Sequence, residues 1–294
     1  IDGLQKMGAS RLALPYSLQG GFVLAKSRAL AQAGYWREGV LAEDADLSCR
    51  LFAAGLKGKY ISGAQLLSED PSSLRVWKRQ AARVAQGWAQ CLRLNLATII
   101  RSKDMGRLGK LGLLLTLLSP FAGLSWISVT LVSAIAILTG FLSPQASVFG
   151  NPLYLILVSL PAIVFYAAGV YALRIRKILS ARNLILLPEL SYILPAMFTI
   201  SALSFVAGLA GRKGTFFRTP KAGNSQANTE DRQPGEGHVI LVTEGLVSAL
   251  SVALSVPMVL QGQILLGLSL AGFGLVTLKS MELSSYLRGG SKGH

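Results

Sequence analysis

From Leu111 to Leu173 the chain contains no Asp, Glu, Lys or Arg, and an uncharged run of 63 residues is far longer than any core helix of a water-soluble domain needs. At roughly 20 residues per crossing it supplies at least two membrane spans. The rest of the composition agrees, since 51% of residues are hydrophobic, 15% are charged and the mean hydropathy is +0.49, which excludes a wholly soluble globule. Charge is gathered in front of that run. Residues 1–110 carry 17 Lys and Arg against 8 Asp and Glu, more than half of the net charge of +15, so the front segment is aqueous and basic.

Five apolar segments follow, at 111–141, 152–173, 184–209, 239–258 and 262–281. Lys and Arg stay on the cytoplasmic side of a membrane, and they decide which segments cross. The linkers 142–151 and 259–261 have none, whereas Arg174, Arg176, Lys177 and Arg182 form one basic cluster and Arg212, Lys213, Arg218, Lys221 and Arg232 another. Four crossings, with 184–209 placed at the interface or as a re-entrant hairpin bent by Pro188 and Pro195, leave no Lys or Arg outside. The first apolar run would be roughly 46 Å long as a helix against a hydrocarbon core of about 30 Å, so it tilts, kinks at Pro120 or protrudes. Residues 222–237 are polar and rich in turn formers and read as a linker.

Ahead of the spans, residues 1–70 mix short β-rich runs (21–25 and 58–61) with helical stretches at 27–33 and 44–54, each closed by a glycine, Gly34 or Gly55. This is the pattern of part of an α/β domain. From 71 to 110 the chain turns helical, with Trp77, Val84 and Trp88 among nine Lys and Arg and the single acid Asp104, a composition suited to a helix along an anionic membrane surface. Cys49 and Cys91 are too few for a disulfide framework or a four-cysteine zinc site and read as reduced and structural. His238 and His294 are too isolated to make a catalytic pair.

The densest acidic cluster, Glu43-Asp44-Ala45-Asp46, opens a helix whose apolar positions Leu47, Leu51 and Phe52 recur at helical spacing. Acids there are also what the helix dipole favours, so capping charge is the plain alternative to a catalytic role. Asp44 and Asp46 have the form of a D-x-D metal site. On a helix, however, residues two apart point about 200° from one another and do not grip one ion. Glu189 and Glu244 lie near the edges of apolar segments, where solvated interfacial acids and a sugar-conducting channel are the competing readings.

Order along the chain adds what no single block carries. A Gln19-Gly20-Gly21-Phe22 turn is followed by Ala42-Glu43-Asp44, Arg50 and Gly55, then by Gln80-Ala81-Ala82-Arg83-Val84, and, after three apolar segments, by Phe216-Phe217-Arg218-Thr219-Pro220-Lys221. This order resembles the second half of the processive family 2 glycosyltransferases, the group of cellulose and hyaluronan synthases. Their T-E-D, Q-x-x-R-W and F-x-V-T-x-K blocks have counterparts here, with Ala42 in place of Thr, Val84 in place of Trp and Arg218 in place of Val. The resemblance covers nearly the whole chain. It implies the C-terminal part of a GT-A-type α/β domain over 1–70, basic interfacial helices over 71–110, and an α-helical transmembrane region over 111–294 with a gating-type loop at 212–224.

The same resemblance implies roles. Asp44, with Glu43 beside it, is the catalytic base; Gln80 and Arg83 hold the donor diphosphate; Phe216, Thr219 and Lys221 close over the nucleotide; Gly20, Gly21, Val84 and Trp88 face the acceptor. Val84 has no π-face for a sugar to stack on, and Trp88, one turn along, is the candidate substitute, with an interfacial anchor as its other reading. The divalent cation (Mg2+ or Mn2+) of such enzymes finds its ligands in an expected segment upstream of Ile1. The implied activity is inverting transfer from a nucleotide-sugar donor to a growing polysaccharide that is then extruded, in a multi-pass plasma (inner) membrane protein whose catalytic part is cytoplasmic and contacts anionic lipids. A non-processive enzyme acting on a lipid acceptor is the alternative within that class. Outside it, a nucleic-acid binder would explain a pI near 10.2 but not why the basic residues flank spans. A transporter or other non-catalytic membrane protein would explain the spans but shows no inverted repeat and leaves the Glu43-Asp44 and Gln80-Arg83 blocks without a purpose.

Overall fold

The computed structural model describes residues 2–18, 20–61, 63–64, 74–141, 152–175, 177–212, 214 and 236–289. Their helices are α1 (Asp2–Arg11), α2 (Ser27–Gln32), α3 (Glu43–Ala53), α4 (Leu74–Arg101), α5 (Arg107–Leu138), α6 (Pro152–Ile175), α7 (Ala181–Leu209), α8 (Glu236–Leu260) and α9 (Ile264–Gly289). They fall into two compact units, one of Ile1–Ala122 with Ile200–Lys221 and one of Gly123–Thr199 with Ala222–His294.

Among the described residues of 1–70 there is no β-strand. The run at 21–25 opens as a single 3-10 turn, Gly20–Phe22, and then continues without regular structure. The run at 58–61 is irregular, tied to α1 by the Tyr60 N–H donating to Ser10 Oγ (2.8 Å). Strand identity depends on a second backbone alongside, and neither run has one here.

The two predicted helices are present, and glycine ends both. Gly34 and Gly55 have φ of +75°, and the bonds Tyr35 N to Leu30 O (2.9 Å) and Leu56 N to Leu51 O (3.1 Å) complete the wrapped C-terminal turn that a left-handed residue allows. α3 then lies on α4 with a constant offset of 49 residues. Leu41 N bonds Gln90 Oε1, Cys91 Sγ bonds Ala42 O, Asn95 Nδ2 bonds Asp46 Oδ1 and Ser102 Oγ bonds Ala53 O. A fixed offset over twelve residues means that the helices run side by side in the same direction. Small residues permit the approach: a Cβ on Gly87 would lie 2.6 Å from Ala42 Cβ and 2.8 Å from Ala42 N. Ala45, Cys49 and Phe52 of α3 with Ala85, Ala89, Leu92 and Ile99 of α4 form the core of this unit, joined by Leu113, Leu117 and Phe205.

All five apolar segments are helical. α7 is unbroken through Pro188 and Pro195, which is the form of an interfacial or crossing helix and not of a hairpin. Within the second unit α8 and α9 make an antiparallel pair joined through Gly262 (φ +79°). Gly267 and Gly274 bring the backbones together, since added Cβ atoms would sit 2.9 Å from Ser255 O and 2.9 Å from Ser248 O, and Ser248 Oγ donates to Gly274 O (2.6 Å). Glu244 lies one turn before Ser248 on that seam and is fully buried. It is therefore not the solvated acid that its position near a segment edge suggested. The side chain of Glu189 lies outside the described residues. Val242–Leu260 is the stretch among the described residues that is long and apolar enough to cross a membrane, with shorter apolar stretches at Met197–Leu209 and Leu266–Lys279.

Candidate active site

The site is built at the N-terminal end of α3, where Glu43 and Asp44 are both half-buried. Asp44 Oδ2 accepts a hydrogen bond from Gly20 N–H (3.0 Å), and Oδ1 accepts one from Ala45 N–H (2.8 Å), so one carboxylate serves both its own helix end and the Gly20–Gly21 turn. Gly20 is the near wall: a Cβ there would lie 3.5 Å from Asp44 Cβ and 3.7 Å from Glu43 Oε1. At Gly21 a Cβ would meet nothing within 4 Å. Two blocks 24 residues apart, assigned to catalysis and to the acceptor, thus meet in space with open room beside them.

Ser48, which the sequence reasoning missed, fastens this turn. Its hydroxyl donates to the Asp44 carbonyl (2.6 Å) and accepts from Leu18 N–H (2.8 Å). The available signal was its position at i+4 from Asp44 on the same helix face.

Asp46 faces the other way and is fully buried. Arg37 Nη1 and Asn95 Nδ2 donate to its Oδ1 (3.0 and 2.8 Å), and Arg50 Nε donates to Oδ2 (2.9 Å) with Nη2 at 2.8 Å from the same oxygen. Arg50 also reaches the Ala33 carbonyl, which ties the end of α2 to the same anchor. Such a carboxylate is committed to structure, because removing it would leave the largely buried Arg50 guanidinium without a counter-charge. Asp44 and Asp46 do not converge on one point. Among the described residues no group of three or more His, Cys, Asp or Glu comes together to hold a metal.

Gln80, Arg83, Val84 and Trp88 follow on α4, all half-buried, with Trp88 packed against the core of the unit. By the 49-residue register Glu43 is level with Leu92, which places Arg83 and Gln80 about 14 and 18 Å further along the axis, past the N-terminal end of α3. Phe216, Thr219 and Lys221 lie outside the described residues. Cys49 and Cys91 are buried free thiols. Burial, followed by the charge of Asp46, pushes Cys49 up to about 12, and burial likewise raises Cys91. Neither is a nucleophile at neutral pH.

Comparison with known proteins places this geometry in context. Residues 2–171, more than half of the chain, match glycosyl transferase family group 2. The chain is 31% identical over 101 residues to glucomannan 4-beta-mannosyltransferase 2 of Arabidopsis thaliana, covering 34% of this chain and 19% of that one. It is 30% identical over 106 residues to the probable glucomannan 4-beta-mannosyltransferase 7 of Oryza sativa subsp. japonica (36% and 18%), and 35% identical over 77 residues to glucomannan 4-beta-mannosyltransferase 1 of the same plant (26% and 15%). It therefore spans less than a fifth of the length of these curated relatives. No solved structure matches it significantly. The acid pair at the head of a helix, the glutamine and arginine on the helix beside it, and a family match running through both show that the chain belongs to glycosyl transferase family group 2.

Proposed function

We propose that this chain carries the acceptor-side catalytic segment and the membrane region of an inverting glycosyltransferase that extends a β-linked glycan from a nucleotide-sugar donor. The observation that carries the reading is the division of labour in α3: Asp46 is consumed by Arg37, Arg50 and Asn95, while Asp44 stands half-exposed against the Gly20 turn with space beyond Gly21. In the proposed step an acceptor hydroxyl oxygen bonds to the anomeric carbon, the bond from that carbon to the diphosphate oxygen breaks, and the hydroxyl proton passes to Asp44. Charge accumulating on the departing diphosphate is met by Arg83, whose planar fork of donors suits phosphate oxygens, with Gln80 one turn away. Phe216, Thr219 and Lys221 are proposed to cover the nucleotide, on the resemblance alone. A GT-A fold for the catalytic part is proposed on the family match, and the names of the mannosyltransferase relatives support a hexosyl donor.

The membrane arrangement is part of the same proposal: crossings at about 111–141, 152–173, 239–258 and 262–281, α7 along the interface, and a catalytic part facing the cytoplasm at anionic lipid. The length and apolarity of α8 and the helical form of the other four apolar segments support it. A second reading, transfer of one sugar to a lipid acceptor, is favoured by Val84 and by the packing of Trp88 against the core, which leaves α4 without a free aromatic platform at those positions. Product length separates the two.

The test is sugar transfer by the full-length protein in membranes with Asp44→Asn. Turnover should fall by about 10² to 10⁴ while binding of nucleoside diphosphate persists. Near-normal transfer by Asp44→Asn would reduce Asp44 to a helix cap.

A further inference from the structure

Three glycines at and just beyond the end of α7 meet one stripe of α4. A Cβ on Gly208 would lie 2.5 Å from the Gln86 carbonyl oxygen and 2.7 Å from Ala89 Cβ; one on Gly211 would overlap the Arg93 guanidinium; one on Gly214 would overlap Leu41 Cδ1 and lie 2.6 Å from Gln86 Oε1. Gln86, Ala89 and Arg93 are spaced three and four apart, so they line a single face. Gly211, with φ of +78°, closes α7 as Gly34 and Gly55 close their helices, and the chain then lies where Gln86 Nε2 donates to the Arg212 carbonyl (3.1 Å).

What this seat encloses is Leu41–Ala42, the two residues before the acid pair. On one side Leu41 N–H is held by Gln90, the Ala42 carbonyl by Cys91, and the Ala42 backbone by the bare face of Gly87. On the other side Gly214 abuts the Leu41 side chain. Gln86 places both ends of its amide against the chain after α7, its Nε2 on the Arg212 carbonyl and its Oε1 beside Gly214.

We propose that Gln86 is a positioning residue for sugar transfer: by fixing Arg212 and Gly214 it confines Leu41–Ala42 and so sets where the Glu43–Asp44 turn stands relative to Gly20. The inference rests on the reading of Asp44 as the base. A displacement of about 1 Å in a group that must meet a reacting atom costs on the order of a hundred-fold in rate, so a loosened seat is felt in chemistry before it is felt in folding.

The experiment uses the full-length protein in membranes with Gln86→Glu and Gln86→Met, which keep the length of the side chain but cannot donate to the Arg212 carbonyl. Both should lower kcat about ten-fold or more, with KM for the nucleotide sugar within about two-fold and the amount of folded protein unchanged. A kcat equal to that of the parent in both variants overturns the proposal. So does a loss of rate matched by an equal loss of folded protein, or a rise in KM at unchanged kcat, which would move Gln86 to donor binding. If the parent itself transfers no sugar, the failure lies with the proposed function, and the positioning role falls with it.

Discussion

Asp44 and Asp46 stand two residues apart and are chemically identical, yet their surroundings give them opposite tasks. Helix geometry alone separates them, so the pointing apart of the two side chains was legible in the sequence. Which of the two would be buried was not, because Arg37 and Asn95 come from elsewhere in the chain, Asn95 from 49 residues on. Asp46→Asn should leave Arg50 and Arg37 without a counter-charge and destabilise the aqueous unit by about 3 kcal/mol or more, seen as a lower melting temperature. The molecules that do fold should transfer sugar at the normal rate. A stable Asp46→Asn protein without activity would move the base from Asp44 to Asp46. The Gly20 contact with Asp44 was foreshadowed only by the family order, since no local pattern brings a turn to a helix 24 residues later.

Helices that end in glycine were readable at Gly34 and Gly55 because the left-handed turn needs that residue. α1 went unread, as its ten residues carry no apolar stripe, and the runs at 21–25 and 58–61 were read as strands from side-chain preference when only a neighbouring backbone could decide. The amphipathic character of α4 was plain, but its partner was not: the sequence suggested a membrane surface, and between Ala85 and Ile99 its inner face is taken by α3. Trp77, Leu94, Leu96 and Ile100 remain exposed on it. The close approach at Gly87 gives a direct measure of how tightly the pair is set. Gly87→Ala would press a methyl onto backbone that cannot swing away, at a cost of about 1 to 3 kcal/mol in spite of the better helix propensity of alanine. Thermal unfolding of the full-length variant checks it, and an unchanged or raised melting temperature would mean that α3 and α4 part more easily than the packing implies.

For the molecule as a whole, Gly208, Gly211 and Gly214 meet α4, and this bears on the proposed topology. If the acid-bearing unit is cytoplasmic, the end of α7 is on the same side, and the number of crossings between them is even. A cysteine placed at Ser225 should then stay unlabelled by an impermeant maleimide added outside intact cells, while one at Ser147 reacts. Labelling of Ser225→Cys from outside would make α7 a span. The seam between α8 and α9 has a consequence for how the protein is made. Glu244, Ser248, Ser251 and Ser255 lie along one stripe of α8 and are all buried, with Gly267 and Gly274 of α9 fitted against that stripe. A solitary α8 leaving the translocation channel would show a carboxylate and three hydroxyls to hydrocarbon, where Asp-like charges cost about 2.5 to 3.5 kcal/mol each. With a connection as short as residues 261–263, the ribosome delivers α9 within seconds of α8. If α8 and α9 cross the membrane as proposed, the pair is fitted to leave the channel as one hairpin, its polar side already closed, and insertion of residues 236–289 becomes a single event.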